Sequence, residues 1–208
     1  MRLKSLIALI FAMFFVSAAA AQAPAVPVVP PPATPENILH LDLSTGGRVS
    51  IQLRPDVAPN HVERIKTLTR RGFYDGVVFH RVIEGFMAQT GDPTGTGAGG
   101  SDLPDLAAEF NPLPHLRGTV SMARANDPNS ANSQFFIMFG PLFSLDTKYT
   151  AIGRVIGGMA YVDAIERGEP PANPSRVLRA SLGSDNVPPM TAAEIAAAAP
   201  NPAEQPQQ

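Results

Sequence analysis

The 208-residue chain contains no cysteine and no tryptophan. Without cysteine there is no disulfide, no thiolate metal site, no catalytic thiol and no sulfur-ligated haem or iron–sulfur cluster. Histidine is scarce. His40, His61, His80 and His115 show neither an i,i+4 nor an H-x-H spacing, so no metal centre is expected. Charged residues are only 16% of the chain, the formal net charge is −2, and there is no basic block. That excludes the electrostatic footprint of a nucleic-acid-binding protein. Apolar residues reach 44%, enough for a packed core. Proline runs the other way, with 22 residues, about twice the usual ~5%.

The ends differ from the middle. Residues 1–21 have the pattern of a secretory signal peptide: Arg2 and Lys4, an apolar stretch from Leu6 to Val16, and Ala19-Ala20-Ala21 before a cut ahead of Gln22. The apolar stretch is short for a membrane span of ~20 residues. The expectation is an exported protein, periplasmic or secreted, with no integral membrane span after cleavage. Loss of Arg2 and Lys4 would make the mature chain more acidic. Residues 22–35 form a linker in which Pro24, Pro27, Pro30, Pro31, Pro32 and Pro35 favour a stiff, extended spacer. Residues 184–208 read as a disordered Ala/Pro-rich tail, with a short helix conceivable over Thr191 to Ala199. Every glycine lies between Gly46 and Gly183, and every aromatic beyond the leader lies between Phe73 and Tyr161. Both compositions mark one folded unit, 36–183.

Within that unit, Ile38–Leu43 and Val49–Leu53 flank a Thr45-Gly46-Gly47 turn and predict a hairpin. A helix follows, with Pro59 at its first position, Asn60 and Glu63 as a capping box, and Gly72 after its end. Further strands are expected at Val77–Val82, Phe86–Thr90, Arg117–Met122, Gln134–Phe139, Ala151–Ile156 and Arg176–Leu182. Met159, Val162 and Ile165 suggest a second short helix. About eight strands with two isolated helices predict an all-β fold, an antiparallel sheet that is closed or sandwiched, with helical caps.

Several constellations carry chemistry on paper. Gly91–Gly100 is glycine-rich, but no helix or Lys-Ser/Thr follows, so a phosphate cradle is excluded and a surface loop is expected. His80, Ser133 and Asp92 lack a G-x-S-x-G elbow. Glu84 and Asp92 could be drawn as a glycosidase pair, but nothing in the sequence marks either as buried. Asp102, Asp105 and Glu109 read as a solvated acidic loop rather than a calcium site. The most informative stretch is Phe79–Asp92. Period two puts Met87 with Gln89, and Gln134 with Phe136. An Arg, Gln, Met and Phe together suit an apolar pocket with a few directed donors. The competing reading is a buried Arg81 satisfied by carboxylates, with Gln89 capping a strand edge.

The stretch Tyr74–Gly91, with F-H-R followed by G-F-M-x-Q-x-G-D, resembles the signature of cyclophilin-type peptidyl-prolyl isomerases. Ser130–Ile137 resembles the family's S-Q-F-F-I strand, and Leu145–Val155 its L-D-G-x-[HY]-x-x-F-G-x-V segment. The resemblance covers about 40–182. It implies a closed eight-stranded antiparallel barrel capped by two helices. It implies acceleration of rotation about X-Pro bonds, without metal or cofactor, on proline-containing unfolded or exported polypeptides, by a monomer. It makes Arg81 the catalytic residue. Phe86, Met87, Phe136 and Leu145 become the proline pocket, Gln89 and Gln134 substrate-holding groups, and Gly95 a loop glycine near substrate. Ala123-Arg124-Ala125 matches the stretch that pairs with peptide backbone, with Arg124 where asparagine is usual. Tyr149 occupies the His/Tyr position. Ser144, beside Phe143, stands where many members carry tryptophan, which implies weak cyclosporin binding. The alternative from another class is a non-catalytic peptide-binding or chaperone module on the same barrel. A small-ligand barrel is disfavoured because eight strands leave an interior filled by side chains.

Overall fold

The structure is a computed structural model that describes residues 31–198. The leader, residues 22–30 of the linker and residues 199–208 of the tail lie outside the described residues.

β1 (Ile38–Leu43) and β2 (Gly47–Leu53) form the expected hairpin. β2 alternates buried and half-buried positions along its whole length, so Val49, Ile51 and Leu53 enter the core. β3 (Arg81–Ile83), β4 (Met87–Thr90), β5 (Thr119–Met122), β6 (Phe135–Met138), β7 (Ala151–Gly157) and β8 (Val177–Leu182) complete one antiparallel sheet. Its strand order is β3-β4-β6-β5-β7-β2-β1-β8. The sheet curls around Leu39, Leu41, Ile51, Phe79, Phe135, Ile137 and Ile152.

Closure is where the expectation is corrected. β3 and β8 end the ladder and are not paired with each other. Among the described residues, the seam is made by the isolated antiparallel bridges Val78 with Arg176 and Val82 with Gly168, and by backbone bonds of Gly76, Val77 and Phe79 to Ser175 and Val177. The fold is therefore an all-β, eight-stranded curled antiparallel sheet. A three-residue β3 is too short to zip a long edge, so turns take over its free side.

α1 (Pro59–Arg70) buries Val62, Ile65 and Leu68 and packs against β8. α2 (Met159–Asp163) packs on β2. α3 (Ala192–Ala198) falls within the stretch Thr191 to Ala199 where the sequence offers a short helix. Pro59 starts α1 as expected, but the capping box fails. The N-cap is Ala58 and has no side-chain bond. The N–H groups of Asn60 and His61 donate instead to Glu109, at 3.1 and 3.0 Å. Glu109 is thus a half-buried cap and not part of a solvated acidic loop. The orphan donors of a helix start accept any carboxylate that reaches them, whatever its distance in sequence.

Residues 184–198 pack near β1, β2 and β8. Asp42 is buried and accepts from Arg48 (2.8 and 3.0 Å) and Arg179 (3.2 and 2.8 Å). Those guanidinium groups then donate to the carbonyls of Val187 and Pro188. Ile195 of α3 is buried. At the other end, Gln52 donates to the carbonyl of Pro31 at 2.7 Å.

Candidate active site

Strand register assembles the site. Arg81 lies opposite Gln89, Gln89 opposite Phe136, and Phe136 opposite Ser121. Four strands thus contribute one row. Met87 opposite Met138, with Ile83 beyond, makes a second row. Directly opposed residues share a face. The neighbours Val82, Ala88, Ile137 and Val120 point the other way, into the main core. Both faces of the sheet are therefore apolar here. The second carries its own small cluster of Met87, Phe136 and Met138, flanked by Phe86, Ala123, Leu145 and Tyr149.

A pocket of about 250 Å³ opens on this cluster. Arg81, Phe86, Met87, Gln89, Ala123, Arg124, Phe136, Leu145 and Tyr149 line it, and each of these was singled out from the sequence. The volume falls below the ~300–1,000 Å³ of typical small-ligand sites, a size for one side chain. The other sequence candidates border it. Ala125 and Gln134 line an adjoining hollow of about 420 Å³ with Gly97–Gly100 and Asn132. Gly95 lines another of about 540 Å³ with His80, Arg81 and Glu169.

The walls are braced by aromatic packing. Tyr149 meets Phe136 edge-on at 5.8 Å, and Phe86 tilts against it at 6.5 Å. The Arg124 guanidinium sits 4.7 Å from the Tyr149 ring centre and donates to the carbonyls of Ala125 and Lys148. Behind Phe136, Asp146 holds His115 Nδ1 at 2.8 Å, and His115 Nε2 meets Ser121 Oγ at 2.8 Å. These are the contacts of a Ser–His–Asp triad. Ser121 and His115 are fully buried, however, and His115 stacks on Phe136 at 6.3 Å. The chain supports the pocket wall and presents no nucleophile. It was not legible in the sequence.

The polar side begins with Gln89, which donates to Gln134 Oε1 at 2.8 Å. Gln134 donates to the carbonyls of Gly97 and Gly99, at 3.0 and 2.8 Å. The glycine-rich loop is organised by Asp92. Its carboxylate receives the backbone N–H groups of Thr94, Thr96, Gly97 and Gly99 and the hydroxyls of Thr94 and Thr96. Burial alone would raise its pKa. The Thr94 hydroxyl and the N–H groups of Thr94, Gly99 and Gly97 outweigh burial and lower it to about 2. Asp92 is therefore occupied as a loop organiser. Ser133 is also occupied, donating to the Gly91 carbonyl at 2.7 Å. Burial lowers the His80 pKa, which disfavours its charged form.

Arg81 is neither buried nor satisfied by several carboxylates. Its side chain is 42% exposed, and Nε donates to one carboxylate, Glu169, at 2.8 Å. Glu169 was missed in the sequence, where no motif marks it.

Comparison with known proteins agrees with this geometry. The family model for cyclophilin type peptidyl-prolyl cis-trans isomerases matches residues 40–182. A protein of Brucella suis named "probable peptidyl-prolyl cis-trans isomerase" is 48% identical over 169 residues, 74% of this chain and 86% of its own. Peptidyl-prolyl cis-trans isomerase-like 3 of Rattus norvegicus is 44% identical over 135 residues, 62% of this chain and 80% of its own. The crystal structure of the cyclophilin AquaCyp293 from Hirschia baltica is similar with a TM-score of 0.69 and 33% identity, covering 75% of this chain and 77% of that one. A Cryptosporidium parvum cyclophilin type isomerase, crystallised in the presence of the dipeptide Ala-Pro, is similar with a TM-score of 0.65 and 28% identity, covering 70% and 98%. The chain belongs to the cyclophilin family. It is a peptidyl-prolyl cis-trans isomerase.

Proposed function

We propose that the 250 Å³ pocket receives the proline ring of a substrate and that Arg81 drives the rotation about the preceding peptide bond. The barrier to be lowered is ~18–20 kcal/mol and comes from C–N resonance. Nothing covalent has to form. In the twisted amide the nitrogen regains its lone pair, and a donor that engages the amide there favours the twisted state over both planar ones. Arg81 stands at the pocket edge and offers a planar fork of N–H donors. Phe86, Met87, Phe136, Leu145 and Tyr149 hold the ring on one side of the rotating bond. Gln89 and the Ala123-Arg124-Ala125 stretch hold the peptide on the other. Excluding water around the ring strengthens the Arg81 interaction.

The observation that carries the reading is the row Arg81–Gln89–Phe136, which sets a half-exposed cation beside an apolar pocket. The substrates are proline-containing segments of exported polypeptides, and the protein works as a monomer outside the cytoplasm. The leader-like residues 1–21 and the lack of cysteine support that setting. The test is a protease-coupled isomerisation assay on an Ala-Pro-Phe peptide. Residues 22–208 are compared with the Arg81→Ala variant. Loss of one directed donor costs ~3–4 kcal/mol of transition-state stabilisation, so kcat/KM falls about 10²- to 10³-fold. Near-normal turnover by the variant refutes the assignment. The compartment is tested separately, by cell fractionation of the tagged chain and N-terminal sequencing of the product. An intact Met1 in the cytoplasm refutes export.

A further inference from the structure

We propose that Glu169 is a positioning residue for Arg81. It grips the guanidinium by Nε and leaves the two terminal nitrogens free for the substrate. The inference rests on the reading that Arg81 acts on the peptide.

The placement of Glu169 is a matter of backbone geometry. Val82 donates to the Gly168 carbonyl at 2.7 Å, and Gly168 returns a bond to the Val82 carbonyl at 2.9 Å. The two form an isolated antiparallel bridge on the free edge of β3. With 82 opposite 168, the next antiparallel pair is 81 opposite 169. Because 82 and 168 exchange both their hydrogen bonds, 81 and 169 fall on a non-hydrogen-bonded pair, where side chains approach more closely. The observed contact, Arg81 Nε to Glu169 Oε2 at 2.8 Å, is what that pairing produces.

The turn behind Glu169 is constrained. Gly168 has φ +147°, and a Cβ there would lie 2.5 Å from Pro171 Cα and 2.8 Å from the Pro170 carbonyl oxygen. Only glycine fits. Pro170 and Pro171 have fixed φ angles. A carboxylate on such a turn is held in place better than one on an open loop.

Which nitrogen is taken matters. Arginine offers five N–H donors in a rigid planar fork. Glu169 uses the one on Nε. Among the described residues, neither terminal nitrogen of Arg81 donates to any protein group. Fixing Nε fixes the plane of the fork, so the remaining donors keep one direction toward the pocket. A long side chain on an edge strand would otherwise sample many rotamers before meeting the substrate. Both partners are about half exposed, so the bond is open to screening by salt.

The experiment compares the purified protein with Glu169→Ala, Glu169→Gln and Arg81→Ala. Turnover is read by NMR exchange on saturating proline peptide and affinity by titration, at low salt and at about 1 M salt, where the Debye length is ~3 Å. Glu169→Ala is expected to lose about three- to tenfold in turnover with affinity within about twofold. Glu169→Gln keeps an acceptor for Nε and should stay within about twofold of the parent at low salt. High salt should lower the parent no further than Glu169→Gln and leave Glu169→Ala unchanged. Parental or faster turnover by Glu169→Ala, while Arg81→Ala collapses, overturns the positioning role and leaves the assignment of Arg81 standing. Glu169→Gln as slow as Glu169→Ala overturns it too, since charge and not orientation would then be at work. Normal turnover by Arg81→Ala refutes the reading of Arg81 itself, and this inference with it.

Discussion

Replacing Asp92 with asparagine removes one charge from a fully buried side chain and should loosen a loop that borders the pocket. Its carboxylate accepts from four backbone N–H groups and two hydroxyls at 2.6–3.3 Å. Asparagine offers one oxygen. If that oxygen takes the place facing Thr96, Gly97 and Gly99, its NH₂ faces the Thr94 N–H, donor against donor. The pKa drop from 3.8 to about 2 measures the preference of the fold for the charged form. After allowance for solvent screening it corresponds to about 1–2 kcal/mol. An unsatisfied buried N–H adds ~1–3 kcal/mol, so Asp92→Asn should destabilise by about 2–5 kcal/mol at pH 7. Because the folded pKa is depressed, this stability is complete above 3.8 and disappears as pH falls toward 2. Denaturant titrations at a series of pH values should show the gap between parent and variant narrowing by about 1–2 kcal/mol from pH 5 to about pH 2. Activity should fall as well, because Gln134 donates to the Gly97 and Gly99 carbonyls of the same loop. A several-fold loss in kcat/KM is expected, from about one displaced substrate-holding group. Stability within 0.5 kcal/mol of the parent at pH 7 (about the scatter of a neutral surface change), or a constant gap from pH 5 to pH 2, refutes the reasoning.

Two further predictions use other parts of the fold. Gly91 has φ +92°, and a Cβ there would lie 2.5 Å from the Ser133 carbonyl oxygen and 2.8 Å from Gln134 Cα. Gly91→Ala must therefore push β4 from the start of β6, and about 2 kcal/mol or more of destabilisation with reduced isomerase activity should follow in melting and turnover assays. Asp42 ties Arg48 and Arg179 together beneath Val187 and Pro188. Asp42→Ala should cost about 2–4 kcal/mol, seen as a melting point lower by about 5–15 °C, while kcat/KM of the folded fraction stays near normal because the cluster is remote from the pocket.

Much of this protein was readable from its residues. The period-two pattern of Val49, Ile51 and Leu53 marked a core-facing strand. The same rule put Met87 with Gln89 and Gln134 near Phe136, which nearly fixed the pocket walls. Strand periodicity is local, and one buried face is enough to enforce it. The resemblance to cyclophilins added the role of Arg81, which spacing alone left open between a pocket donor and a buried ion-paired residue. The pocket itself needs both faces of the sheet to be apolar around Phe136, and Phe135-Phe136-Ile137-Met138 carries that as an unbroken apolar run.

What the tertiary structure decided are the polar partners that lie far apart along the chain. Glu109 caps α1 from 49 residues away. Glu169 reaches Arg81 across 88. Asp146 meets His115 across 31, and His115 then reaches Ser121 behind the pocket wall. None of these pairs has a periodic signature. Each arises because backbone register or packing brings a donor and an acceptor within about 3 Å, and a hydrogen bond has no range beyond that from which sequence could reveal it. The seam between β3 and β8 is of the same kind. Its bridges at Val78 and Val82 depend on where the chain returns after α2. The sequence thus determined the strands, the apolar faces and the family. Only the folded chain determined which charges meet, Arg81 with Glu169 among them.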